Sequence, residues 1–169
     1  MIIYQDTREH KQEAERVANQ IRAAGCEVIR SKLYVGDYLR IDDGLLVIDR
    51  KKDLLELCGN VTQQHERFRC ELLKARAAGI KIVILCEHGE EIKTLEDVFF
   101  WHNPRKDIFY WTTKNGKRQR LPKYPNATEG EQLYKSLCTM RDRYGVSYEF
   151  CDKQETGARI VKILGGENA

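Results

Sequence analysis

The chain has no apolar run that approaches a membrane span, so no membrane partner is expected. No signal peptide precedes the first apolar stretch, which sets the expectation of a cytoplasmic protein. Six cysteines stand at positions 26, 58, 70, 86, 138 and 151, with no Cys-x-x-Cys pair among them. That spacing argues against a zinc ribbon or a dithiol motif. Most of the six fall in apolar periodic segments, where free cysteine acts as a small core residue in reducing, intracellular surroundings. His10, His65, His88 and His102 are too scattered to form a paired ligand set, and no role falls to them. The sequon Asn126-Ala127-Thr128 carries no meaning inside a cell.

What remains is a chain of 169 residues, one-third charged and 41% hydrophobic, which suits one domain over residues 1–169. The net charge of +3 is unevenly spread. Residues 103–123 hold Arg105, Lys106, Lys114, Lys117, Arg118, Arg120 and Lys123 against Asp107 alone, a local +6, which leaves −3 elsewhere. A concentrated basic segment is the electrostatic form of a nucleic-acid contact.

The order of elements follows from periodicity and punctuation. Met1 to Gln5 reads as a buried strand ending on Asp6. Asp6 and Thr7 are N-cap types before a helix with Ala14, Val17, Ala18, Ile21 and Ala24 inward, stopped by Gly25. Cys26 to Ile29 is a strand. Lys52 to Cys58 is a short helix closed by Gly59, and Asn60 caps another carrying Val61, Phe68, Leu72 and Ala75. Ile80 to Cys86 is a buried strand, and Leu95 to His102 a short helix. Ile108 to Thr113 and Lys117 to Leu121 flank Asn115-Gly116, a strong hairpin signal. Thr128 to Glu131 reads as a capping box before a helix with Leu133, Leu137, Met140 and Tyr144. Val146 to Cys151 is a last strand. Asp152 with Glu155 caps a helix with Ala158, Ile160, Val161 and Leu164 inward, and Gly165-Gly166 opens a frayed tail. This order predicts an α/β fold, a mixed β-sheet flanked by helices. Its core spans 1–102 and 128–165, with a basic β-hairpin insertion at about 103–127. Two aromatic sets, Phe99, Phe100 and Trp101 beside Phe109, Tyr110 and Trp111, are open to a core role or to base stacking; the first set reads as core.

Residues 33–51 carry the chemistry. Two strand-like runs flank Asp43-Gly44, so the stretch reads as a β-hairpin. Pairing Tyr38–Ile41 with Leu45–Ile48 sets Asp37 opposite Asp49 at the open end. Lys51, two residues on, shares a strand face with Asp49. Two close carboxylates repel unless a proton or cation lies between them. Two carboxylates and an ammonium at one strand end make a constellation for metal-assisted phosphodiester hydrolysis.

Gly36-Asp37 followed by Ile48-Asp49-Arg50-Lys51, with Asp6-Thr7-Arg8-Glu9 before them, resembles the signatures of the XPF-type nuclease domain of the PD-(D/E)XK superfamily. The resemblance covers about residues 2–88. It implies a restriction-endonuclease-like core with the site at one sheet edge, catalysis by Asp37, Asp49 and Lys51, and Mg2+ as cofactor, with Mn2+ able to substitute. It brings Asp6 and Glu9 to the metal beside Asp37 and Asp49, although spacing alone makes Asp6 a helix cap and Glu9 a first-turn acid. By the same resemblance Arg8 contacts a phosphate or locks Asp37, and Gln64 and Arg67 lie near bound DNA. Glu87, by default a loop charge, is a candidate supporting group. On charge, Lys114, Lys117, Arg118 and Arg120 are DNA contacts of the hairpin.

The chain departs from that pattern in having Asp49 where the family has Glu, Leu55 where it has a further aspartate, no tandem helix-hairpin-helix module, and the basic hairpin instead. The resulting expectation is a metal-dependent DNA endonuclease acting on flap, fork or junction DNA in repair or recombination. A non-catalytic DNA-structure-binding scaffold is the alternative, and a restriction-type enzyme ranks last because no base-reading element stands out. A homodimer or a partner protein stays open.

Overall fold

In the computed structural model, residues 1–89 and 91–165 are described. A six-stranded mixed sheet has the order β2-β1-β3-β4-β5-β8. β1 (Ile2–Asp6) lies parallel to β2 (Glu27–Ser31) and antiparallel to β3 (Tyr38–Arg40). β3 is antiparallel to β4 (Asp43–Lys51), which runs parallel to β5 (Lys81–Cys86); β5 in turn runs parallel to β8 (Ser147–Phe150). The crossover from β1 to β2 is α1 (Lys11–Ala23), and β4 connects to β5 through α2 (Leu54–Thr62) and α3 (His65–Ala77). α4 (Gly130–Tyr144) precedes β8, and α5 (Thr156–Gly165) follows it. β6 (Phe109–Lys114) and β7 (Lys117–Pro122) form a separate two-stranded hairpin.

Helices cover both faces of the sheet, and β5 shows how the period of two divides them. Its Ile82, Ile84 and Cys86 join a core with Leu57, Phe68, Leu72, Leu133 and Leu137 beneath α2, α3 and α4. Val83 and Leu85 join the opposite core with Ile3, Val17, Ile21, Tyr38, Ile48 and Ile160 beneath α1 and α5.

Several local expectations need correction. α2 runs through Gly59 and Asn60 and breaks only at Gln63, whose N–H binds Gly59 O at 2.9 Å. A helical glycine costs about 1 kcal/mol; burying Leu54, Leu57, Cys58 and Val61, at roughly 1.5–3 kcal/mol per large side chain, outweighs it. Asp53 caps this helix, accepting the Glu56 N–H at 2.7 Å. The turn of the β3–β4 hairpin is Ile41-Asp42, because a register shift after Leu39 pairs Arg40 with Asp43 and draws Asp43-Gly44 into β4. α1 is preceded by His10, so neither Asp6 nor Thr7 caps it and Glu9 lies before its first turn. α4 starts one residue late, with Glu129 at the cap and Gln132 reaching back to its N–H at 3.4 Å. Gly130 is required there, since a Cβ would meet the Trp101 and Val98 carbonyl oxygens at 2.5 Å.

Residues 95–102 form only a 3-10 turn, Glu96–Phe100. It buries Trp101 but leaves Phe100 82% exposed, so that aromatic set is core only in part. α5 begins at Thr156, after Glu155, and turns Ala158 to solvent. The expected frayed tail is helical at Gly165, and 166–169 lie outside the described residues. All six cysteines are free, with Cys58, Cys86 and Cys151 buried and Cys70 exposed.

Candidate active site

Asp37 is placed by backbone geometry. Gly36 before it takes φ +66°, a left-handed conformation, and a Cβ there would lie 2.3 Å from Val47 Cγ1. Its N–H points to Glu71 Oε1 at 3.3 Å. Asp37 N–H then binds Ile48 O at 2.8 Å, and Asp37 O accepts the Asp6 N–H at 2.8 Å. The second bond extends the pairing Gln5↔Tyr38 by one step, while the first goes to Ile48, the partner of Tyr38, and holds Asp37 beside the end of β4. Asp6, Asp37 and Asp49 therefore stand side by side at the ends of β1, β3 and β4. The strands are interior to the sheet, so the site sits at its end and not at an edge strand.

Register fixes which way β4 sends its side chains. Asp49 pairs with Ile84 and Lys51 with Cys86, both members of the core under α2 and α3, so Asp49 and Lys51 share that face. Arg50 pairs with Leu85 of the opposite core and goes to the other face. Lys51 Nζ donates to Asp49 Oδ1 at 2.8 Å and lies 5.4 Å from the Phe68 ring centroid. Burial disfavours the Lys51 ammonium, but the Asp49 and Asp37 carboxylates outweigh it, raise its pKa and keep it charged.

Asp37 Oδ2 accepts the Arg50 N–H at 2.7 Å. Burial, with Asp49 and then Glu9 nearby, nevertheless pushes its carboxyl well above the usual range, and Lys51 offsets this only in part.

On the far face Arg50 is enclosed by acids. Its Nη2 donates to Glu9 Oε2 at 2.9 Å, and Nη1 lies 3.1 Å from Glu87 Oε2. Burial works against this guanidinium, while Glu9 and Glu87 hold it firmly protonated. Glu87 is fully buried, pairs also with Arg16 and accepts the Thr156 hydroxyl at 2.7 Å. It is no loop charge but ties the end of β5 to α1 and α5. Its pairing was hidden from sequence because its partners are 37 and more residues away; an acid at the end of an otherwise apolar strand was the only signal.

The expected residues separate on geometry. Asp37, Asp49, Lys51, Glu9, Arg8, Gln64 and Arg67 all line one cleft of about 840 Å³. Asp6 does not. Its Oδ1 accepts Arg8 N–H and Nε–H at 2.6 and 2.8 Å, and its Oδ2 accepts Arg8 Nη2–H and Leu33 N–H at 2.8 and 2.7 Å. Burial would raise the Asp6 pKa, but these donors hold it below the usual range. With both oxygens taken by these donors, Asp6 anchors Arg8 and Leu33 in this arrangement and stands outside the cleft lining. Arg8 locks Asp6 and not Asp37. Lys114, Lys117, Arg118 and Arg120 are exposed on the β6–β7 hairpin, outside the cleft lining.

The cleft also holds Glu71, not singled out from sequence, and Arg105 of the basic segment. Glu71 follows Gln64, Arg67 and Phe68 at helical spacing on α3, a signal that was present.

The donor set fits a hard divalent cation. Asp37 and Asp49 offer carboxylate oxygens, and the Asp37 pKa is raised first by burial and then by the charges of Asp49 and Glu9, which Lys51 offsets only in part. Among the described residues no group of three or more His, Cys, Asp or Glu side chains is arranged to hold a metal by itself. Two carboxylates, with other positions left to water and phosphate, suit magnesium.

The ERCC4 domain family matches the chain over residues 5–164. No curated protein matches the sequence. Among solved structures, XPF from Aeropyrum pernix is similar with a TM-score of 0.64 at 16% identity, covering 97% of this chain and 63% of that one. XPF from Aeropyrum pernix in complex with DNA gives 0.62 at 17% identity over the same shares. The chain thus spans 63% of the length of the structures it matches. At these identities the likeness establishes the fold, an XPF nuclease-type α/β arrangement.

Proposed function

This chain belongs to the ERCC4 domain family, and on that premise we propose that it is a magnesium-dependent DNA endonuclease. Its substrates are branched DNA, such as flaps, forks or junctions, arising in repair or recombination. The observation that carries this reading is the facing pair Asp37 and Asp49 with the protonated Lys51 at 2.8 Å, on the floor of an open cleft. That one of the structural neighbours is a complex with DNA supports DNA as the partner.

In this reading Asp37 and Asp49 hold the cation, magnesium or in its place manganese. When bound, the ion polarises the scissile phosphate and makes its attacking water more acidic. Water oxygen bonds to phosphorus, the bond from phosphorus to the leaving sugar oxygen breaks, and the water's protons pass to solvent and to that oxygen. Lys51, which Asp49 and Asp37 favour as an ammonium, serves as a stabiliser of charge developing on the phosphate. Arg50 N–H steadies Asp37, while the Arg50 side chain is committed to Glu9 and Glu87. Arg8, Gln64 and Arg67 border the cleft where the DNA backbone would run. The cationic hairpin residues Lys114, Lys117, Arg118 and Arg120 supply contacts farther along the strand.

The test is cleavage of labelled duplex, flap, fork and four-way junction DNA with and without magnesium. Asp49→Asn and Lys51→Ala should each lose on the order of 100-fold or more in single-turnover rate with DNA affinity retained. Cleavage near wild type in both variants would remove the reaction from this site.

A further inference from the structure

The β6–β7 hairpin has two unlike faces. Register places Phe109, Trp111 and Thr113 beside Pro122, Arg120 and Arg118 on one of them. Every residue on that face is exposed. The two half-buried positions, Thr112 and Leu121, lie on the other face, in the neighbouring pairs Thr112↔Gln119 and Tyr110↔Leu121. The second face is thus the less exposed of the two, and the first is open to solvent.

On the open face arginine and aromatic side chains interleave. Arg120 lies over the Phe109 ring at 4.1 Å, and Arg118 over the Trp111 ring at 4.7 Å. From root to tip the sequence of stacked groups is Phe109, Arg120, Trp111, Arg118. Phe109 remains 43% and Trp111 59% exposed. The ladder leads back to the cleft: Arg105, on its lining, lies 5.7 Å from the Tyr124 ring, and Lys123 lies 5.4 Å from the same ring. Lys123 N–H binds Ile108 O at 2.7 Å and closes the hairpin root.

We infer that this face is a stacking platform for an unpaired DNA strand. The inference rests on the DNA reading above and names which part of a branched substrate the hairpin takes. Cations alone would serve a duplex, whose bases are hidden and whose phosphates face outward. Open rings alternating with guanidinium planes gain from bases only when these are unpaired, since every base has a face to stack and none is needed in particular. The strand β6–β7 carries no acidic residue to repel the backbone.

The experiment uses the full chain without magnesium. Trp101 is only 8% exposed, so quenching of tryptophan emission by added oligothymidine reports Trp111. Oligothymidine should quench that emission saturably, and a duplex of equal length much less. By anisotropy of labelled DNA, Trp111→Ala should weaken oligothymidine binding by about 5- to 100-fold and duplex binding by less than about twofold. Trp111→Phe, which keeps a ring, should retain most of the single-strand affinity. Thermal melting confirms that the variants fold. Unmoved Trp111 emission at saturating oligothymidine, no oligothymidine binding, or equal losses on single strand and duplex would each overturn the platform. Magnesium-dependent cleavage by the same variants is read separately, so the platform can fall while the nuclease reading stands, or the reverse.

Discussion

Gly36 is the position where one methyl group should disturb both fold and chemistry. Alanine there must hold φ at +66°, which costs a residue with a Cβ about 1–2 kcal/mol. Its methyl would also stand 2.3 Å from Val47 Cγ1 and 3.0 Å from Ile48 O. Val47 is 1% exposed and cannot swing aside, so the crowding adds about 1–3 kcal/mol. Gly36→Ala should therefore lose about 2–5 kcal/mol in urea denaturation, with the melting temperature down by about 2–4 °C per kcal/mol. Gly44→Ala is the control, because a Cβ at Gly44 meets nothing within 4 Å and its φ is not left-handed; it should stay within about 0.5 kcal/mol of wild type. The strain also falls on the residue before Asp37. A displacement near 1 Å costs on the order of 100-fold in rate, so cleavage by the folded fraction should drop in Gly36→Ala and persist in Gly44→Ala. A Gly36→Ala protein within 1 kcal/mol of Gly44→Ala would refute the reasoning.

Asp37→Asn should raise the melting temperature of the metal-free protein at neutral pH. Burial, Asp49 and Glu9 raise the folded pKa, so the carboxyl withdraws stability as pH climbs from the unfolded value near 4 toward that elevated pKa. The gain should close below about pH 4, magnesium should stabilise wild type more than the variant, and equal melting curves at neutral pH would contradict the charge excess. Glu87→Gln should cost about 3 kcal/mol in urea denaturation, since Arg50 and Arg16 lose a buried counter-charge; a loss under 1 kcal/mol would show that Glu9 on Arg50 and Glu13, 3.0 Å from Arg16, suffice. Changing Lys114, Lys117, Arg118 and Arg120 together to Ser should flatten the dependence of log affinity on log salt by up to about 3.5 units on duplex DNA, at roughly 0.9 per phosphate contact. An unchanged slope would take these four cations off duplex DNA, leaving the unpaired-strand contact to the oligothymidine assay.

The register next to the site was legible because the period of two is rigid: Tyr38 pairs with Ile48 as expected, and Asp37 comes next, where its carboxylate accepts the Arg50 N–H. The hairpin of β6 and β7 was legible for a similar reason, Asn115 and Gly116 taking the positive φ values, 53° and 70°, that such a turn needs. Gly59 misled because a local helix penalty is small beside the burial of four neighbours, and burial is a tertiary fact. The anchoring role of Asp6 was not legible because one of its donors, Leu33, is 27 residues away. The most consequential oversight was on β4 itself. The alternation that puts Asp49 and Lys51 on one face must send Arg50 to the other, among the side chains packed beneath α1 and α5. A guanidinium there is tolerable only with acids around it. Glu9 reaches the site from just before α1 and meets Arg50 at 2.9 Å, so its first obligation is to that cation. Its effect on the cleft is then electrostatic, through the rise it helps impose on Asp37. Three consecutive residues thus do two jobs by pleat alone: Asp49 and Lys51 furnish the cleft, while Arg50 fastens the strand end to the acids that tune it.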